Sequence, residues 1–494
     1  MLLATGILRF GLDLPEKNVR ALLAQGWGIP LSLSDVSRLS TEFLVRWRMF
    51  CEEALPTHAS EMGPLVVQID GTVVENGPVT CRFRHALTGV TLWAEQIEAE
   101  SAPEIARALR TFQARYGVPL HLLRDGSPAF RKAMEEVFPG VSQGEDHWHF
   151  LDDLGPVVLP DYPALRDTLV KDHGLSRLAE RSRTLPTKGK TIEEVERVWM
   201  RAVLEWVEAA RDHTGGFPFR LAYLEVACRL EAVRRWAGQM VQGNGRRGIL
   251  LPDMVELKLQ VIRLLEREGV SWHRVRTGAE AGLLTELRRA MRVERERRSR
   301  PELAPLTRED VAQTRREIDL ALTRFAAEGE WAQAIVATVV KRFEAHGPYL
   351  WAEVPGQSVV IRSTVPLEQD HGADRRGVRH RTGREETGQE MGRLGSLLAF
   401  WSNMRCEWFR DQVLPGVNLW EEFARRDPEE VRRRVCALPR EGRRPRVVLP
   451  RGEKARACLE SLVKLVAGEE PLEPHLSKWM ESVSPPPGEV TGIA

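Results

Sequence analysis

Lysine is scarce in this chain, supplying 10 of its 71 basic residues against 61 arginines. Arginine is the better phosphate fork, but a GC-rich genome gives the same bias, so the ratio alone is no nucleic-acid signature. Charge of one sign is lacking as well: the formal net charge is +1. Any basic binding surface must therefore be local. Cysteine is sparse and scattered. Cys51, Cys81, Cys228, Cys406, Cys436 and Cys458 show no CxxC and no secreted-type spacing, which excludes a disulfide scaffold and favours a reduced, intracellular protein. The sequence holds no signal-peptide pattern and no apolar run long enough to cross a bilayer.

At 494 residues the chain exceeds one ordinary core, and two or three domains are expected. Residues 1–60 read as a helical segment. One helix runs through Leu14 to Leu23, opened by Pro15, and after the Gly26-Trp27-Gly28 turn Ser32 starts a second. That pattern suits a DNA-reading helix-turn-helix and a plain αα-hairpin alike. The chain starts abruptly ahead of it, so a preceding N-terminal piece is expected. Residues 156–355 read as an all-α insertion, with heptad-like apolar spacing through Ile192 to His213, Leu221 to Met240, Met254 to Arg267 and Glu309 to Ala327. The charge run Arg288 to Arg300 reads as a solvated helix end. Residues 411–494 form a helical, basic C-terminal segment, Arg-dense around Arg425 to Arg456, with a disordered tail at Ser484-Pro485-Pro486-Pro487-Gly488.

Residues 61–155 are strand-rich. Apolar runs end at Ile69 and Leu123, a hairpin joins Val79–His85 to Val90–Ile97 across Thr88-Gly89, and a short strand lies near Val141 to His147. Helices are expected from Ala102 to Tyr116 and from Pro128 to Phe138. Three antiparallel strands followed by βα units describe an α/β fold with an RNase H-like mixed sheet. In that order the first and fourth strands are neighbours. Asp70 and Asp125 stand just past the ends of those two strands, at the sheet edge where open α/β sheets place their chemistry. Each alone reads as a turn residue or helix cap; together they suit a hard divalent cation and phosphate chemistry.

Phosphodiester chemistry with two Mg²⁺ ions about 3.5–4 Å apart needs a third acid from an element beside the sheet. Residues 356–410 offer one. Ser363-Thr364-Val365-Pro366-Leu367-Glu368 resembles a helix start with Thr364 as N-cap, although Gly372 and Gly377 weaken the helical pattern behind it. Glu386 and Glu390 are the runner-up acids. The basic cluster of Arg375, Arg376, Arg379, Arg381 and Arg384 follows Glu368, which favours phosphate contact over a plain solvated face. His147 and His149 alternate on the expected strand. Their spacing and lack of a Cys pair argue against structural zinc, leaving a role at the site edge or on DNA phosphates.

Asp70-Gly71-Thr72, then Arg124-Asp125-Gly126-Ser127 with a helix and Val137-Phe138-Pro139-Gly140-Val141 behind it, resemble bacterial DDE transposases. Asp146-His147-Trp148-His149-Phe150-Leu151-Asp152-Asp153-Leu154-Gly155 is similar to their Cys-His-x-His-Phe-Leu-x-Asp-Leu-Gly block, and Asp146-x-x-His149 fits the (Cys/Asp)-x-x-His motif of the Mutator-like group. Thr382-Gly383-Arg384 and Thr387-Gly388 match a block that follows the catalytic Glu. The resemblance spans residues 60–155 and 360–410, with the helical insertion matching in character. It implies a transposase in which Asp70 bridges two Mg²⁺ ions (Mn²⁺ could substitute), Asp125 holds one and Glu368 completes the site. It further implies cleavage of transposon ends, 3′-OH strand transfer into target DNA, double-stranded DNA as partner, no membrane, and a homodimer or larger assembly on DNA. The expected setting is cytoplasmic and nucleoid-associated. A catalytically decayed DNA-binding relative and a metal-dependent nuclease on the same fold are the competing expectations.

Overall fold

A computed structural model describes residues 1–439 apart from 74–77, 172–173, 212–215, 247–251, 268 and 294–302. Its sheet grows from the apolar runs picked out above. β1 (Val66–Val73), β2 (Val79–His85) and β3 (Thr91–Ile97) form an antiparallel meander, and β4 (His121–Arg124) and β5 (Ser142–Glu145) extend it in parallel, giving the order β3-β2-β1-β4-β5. The fold class is thus mixed α/β with a five-stranded mixed sheet. Nearly every residue of β2 is buried, as expected where both sheet faces are covered. The period of two sorts its side chains. Phe83 stacks on Phe112 of the Ala102–Tyr116 helix at 5.1 Å, while Arg82 faces the other way and donates to the Ala399 carbonyl of the Gly388–Trp401 helix.

The long helix of the N-terminal segment packs into this core. Ser32 and Asp35 form a capping box that opens the Leu33–Thr57 helix. Its stripe of Phe43, Trp47, Phe50 and Leu55 is buried in the cluster that also holds Phe83 and Phe400. Trp47 Nε1 donates to the Phe400 carbonyl at 2.9 Å. The Glu16–Trp27 helix, the left-handed Gly28 turn and the start of the next helix close over Val19, Leu23 and Val36, so the expected hairpin forms. Its second helix continues into the main core because that stripe is apolar along its length.

From His147 to Leu350 the described chain is almost wholly helical, as expected for residues 156–355. Two apolar clusters organise it, one around Leu154, Leu287, Leu322 and Val339, the other around Leu165, Leu204, Leu230 and Leu257. A two-stranded ribbon of Leu306–Thr307 and Val359–Val360 brings the chain back toward the sheet. Among the described residues no helix is long and apolar enough to cross a membrane. Beyond the short helices Leu419–Ala424 and Pro428–Ala437, the Arg-dense stretch from residue 440, the Ser484–Gly488 tail and most of the Arg288–Arg300 run lie outside the described residues.

Candidate functional site at the strand tips

Three acids gather where the parallel pairing of β1, β4 and β5 ends: Asp70 lies inside β1, opposite Arg82 of β2, rather than past the strand's end as expected, while Asp125 and Asp146 follow β4 and β5. β1 and β4 pair Gln68 with Leu123, so two residues further on Asp70 and Asp125 fall side by side. Asp146 follows β5, its N–H donating to the Arg124 carbonyl at 2.8 Å. Asp70 is buried. Burial first, then the Asp125 and Glu368 charges, push its carboxyl up to about 7 against the pull of His149 and the Gly71 amide. Burial also raises Asp125, moderated by the Ser127 N–H that its Oδ1 accepts at 3.0 Å, by His149 and by Arg124.

Glu368 arrives on the Val365–Thr382 helix, with Thr364 as N-cap and Pro366 in the first turn. The entry is pinned to the sheet by Gln68, which donates to the Ser363 carbonyl at 2.7 Å, and by the His147 N–H, which donates to the Arg362 carbonyl at 2.9 Å. The helix runs through both Gly372 and Gly377. Gly377 packs against the Arg381–Asp13 pair: a Cβ there would lie 2.8 Å from Arg381 Nη1 and 3.0 Å from Asp13 Oδ1.

Asp146 is fully buried and caps the His147–Val158 helix, accepting from the Trp148 and His149 amides at 2.6 and 3.0 Å. Its second oxygen accepts from the Thr364 amide and from the Thr364 hydroxyl, the latter at 2.9 Å. His149 lies between the acids. Nδ1 is 3.4 Å from Asp146 Oδ1, and Nε2 is 3.7 Å from Glu368 Oε1. Burial would lower its pKa, but the Asp146 contact and the charges of Asp146, Glu368 and Asp125 outweigh that and raise it to about 10. Asp146 is correspondingly lowered to about 2 despite burial, by His149 and by the Thr364 amide. His371 also faces the site, its Nε2 3.7 Å from Asp70 Oδ2. Burial, then Arg82 and Arg375, hold it well below the ordinary histidine value and so neutral.

No family model and no curated protein matches the chain.

Of the expected acids, Asp70 and Asp125 lie side by side, and Glu368 comes near enough for its charge to raise Asp70. The runner-up acids do not. Glu386 is exposed, and Glu390 pairs with Arg381 at 3.3 Å and with Arg9 at 3.8 Å. Three expectations need correction. The short strand ends at Glu145, and His147 and His149 open a helix, because Asp146 caps it. His147 is buried with Nε2 against the Leu350 carbonyl at 2.9 Å, so it touches no phosphate. Arg381 is buried too, paired with Asp13 at 2.5 Å and with Glu390. Arg376, Arg379 and Arg384 are exposed, and half-buried Arg375 bonds the Thr72 hydroxyl on β1. His371 was missed. Its position three residues after Glu368, on the same helix face, was the signal for it.

The donor set bears on a cation. Asp70, Asp125 and Glu368 are oxygen donors of the kind hard divalent cations take, and the raised Asp70 pKa reflects burial first and the neighbouring Asp125 charge second. Among the described residues, however, no group of three or more His, Cys, Asp or Glu side chains is drawn together tightly enough to hold an ion as it stands. Glu368 leans on His149 instead.

Proposed function

We propose that this chain is a DNA transposase of the DDE class, with an RNase H-like catalytic sheet interrupted by the helical stretch before Glu368. The observation that carries this reading is the side-by-side placement of Asp70 and Asp125 on neighbouring parallel strands, with the Glu368 charge near Asp70. The strand order supports it, since β1 and β4 are neighbours. Asp70, Asp125 and Glu368 would hold Mg²⁺, or Mn²⁺ in its place, which supplies activation of a water or 3′-OH and stabilisation of the leaving oxygen. His149 orients Glu368, and neutral His371 packs beside Asp70. Exposed Arg376 and Arg379, further along the Glu368 helix, and Arg384, beyond its end, offer phosphate contacts that hold DNA in register without reading sequence. Strand transfer joins separate DNA ends, so the reaction calls for a dimer or larger assembly acting on nucleoid DNA.

Incubating the protein with Mg²⁺ and DNA carrying its flanking genomic ends tests this. The expected outcome is nicking at the ends and joined products, both lost in Asp125→Asn. Cutting without joining would indicate a nuclease on the same fold. A second reading, a decayed transposase that only binds DNA, is favoured by the contact of Glu368 with His149 in place of its fellow acids; it predicts retention of DNA on a gel with no cleavage by wild type or variant.

A further inference from the structure

One carboxylate opens two helices in this fold. Asp146 Oδ1 accepts from the first amides of the His147–Val158 helix, and Oδ2 accepts from both the amide and the hydroxyl of Thr364. Thr364 is the N-cap of the Glu368 helix, yet its side chain bonds nothing on that helix, because its hydroxyl is turned outward to Asp146. The Glu368 amide reaches back to the Thr364 carbonyl at 3.3 Å, which puts Glu368 one turn beyond the clamp. An anchor at the first residue fixes the rotation of a helix about its axis, and so the direction in which the next turn points. Asp146 is itself tied to β4 through the Arg124 carbonyl, next door to Asp125. A continuous chain of bonds therefore links the tip carrying Asp125 to the turn carrying Glu368. His149 runs parallel to it, facing Asp146 on one ring nitrogen and Glu368 on the other.

We propose that Asp146 is a positioning residue for Glu368, acting through Thr364, with His149 bracing the carboxylate from the same helix. The inference rests on the metal-site reading above. It assigns Asp146 no contact with a metal or with DNA. Its role is to set where the third acid stands relative to the first two, as outer partners do for metal-binding side chains.

The test uses the full chain and Mn²⁺ alone as probe, with free Mn²⁺ followed by electron paramagnetic resonance and melting recorded in parallel. Thr364→Val removes the hydroxyl and keeps the branched shape, Thr364→Ser restores the hydroxyl, and Asp146→Asn removes the charge. Thr314→Val is the control, since Thr314 makes a buried hydroxyl bond to the Ala290 carbonyl in the helical stretch. Thr364→Val and Asp146→Asn are expected to weaken Mn²⁺ binding about tenfold, with Thr364→Ser close to wild type and Thr314→Val unchanged in affinity at a similar loss of melting temperature. Should Asp146→Asn fail to fold, the Thr364 pair decides. Wild-type affinity in Thr364→Val, or a loss in Thr314→Val as large as in the clamp variants, would overturn the positioning role alone. If wild type binds no Mn²⁺, or binds it equally well as Asp70→Asn, the metal-site reading falls and this inference with it.

Discussion

At the residue scale, Asp70 is the most perturbed of the gathered acids. Burial and Asp125 raise its carboxyl to about 7 from an ordinary value of 3.8. Between those two values the folded protein holds a proton that the unfolded chain has released, so this group's contribution to stability falls as pH rises through that window. The same proton competes with a cation. Mn²⁺ binding is expected to weaken as pH drops below 7, by up to roughly tenfold per unit for one displaced proton. Titrations at pH 6 and pH 8 check this; a flat profile would mean that Asp70 is no ligand. Asp125 was legible in the sequence because Asp and Gly follow a short strand, and Asp70 from the same pattern although its strand runs on to Val73. His371 and the second role of Asp146 were not, since each depends on what another element brings alongside.

At the element scale, the sheet is sealed by the Gly388–Trp401 helix lying against β2 and β3. Gln96 donates to the Met391 and Gly392 carbonyls at 2.8 and 2.7 Å. Gly395 permits the approach, for a Cβ there would sit 2.5 Å from Thr80 Oγ1. Gly395→Ala should therefore cost about 1–3 kcal/mol by overpacking, and Thr80→Ala in the same chain should recover part of it. Denaturant melts of the two single variants and the double variant close this cycle; a Gly395→Ala protein as stable as wild type would contradict the contact. Periodicity predicted the helices well. It misjudged the residues after β5, where His147 and His149 alternate as strand residues do, because the Asp146 cap that starts the helix is one residue type at one position and overrides the short pattern.

At the scale of the whole molecule, the N-terminal segment is strapped to the Glu368 helix by charge. Arg9 donates to the Arg381 carbonyl at 3.0 Å and approaches Glu390, while Arg381 pairs with Asp13 and Glu390 and lies over the Phe10 ring at 5.0 Å. Removing buried Arg381 takes away the partner of Asp13 and one of the two partners of Glu390. Arg381→Ala is expected to destabilise the protein by about 3 kcal/mol, whereas Arg376→Ala, on the exposed face, should stay within about 0.5 kcal/mol and weaken DNA binding with a shallower salt dependence. Chemical denaturation and salt-dependent gel shifts separate the two. Equal stability for both would show that the strap does not hold.

By itself the sequence determined the parts: the strands and the aspartates on or just after them, the long helical stretch, and the helix start at Thr364. Local pattern suffices for these because strand and helix periods and end signals are written within a few residues. Only the tertiary structure decided which charges meet. Arg381 reads as a free cation in the sequence and is an internal ion pair, because Asp13 lies 368 residues away along the chain. Asp146 reads as a strand residue in the sequence, yet it caps a helix and reaches Thr364 across 218 residues. Contacts of that range depend on how sheet and helices pack, and it is packing that sets Glu368 against His149.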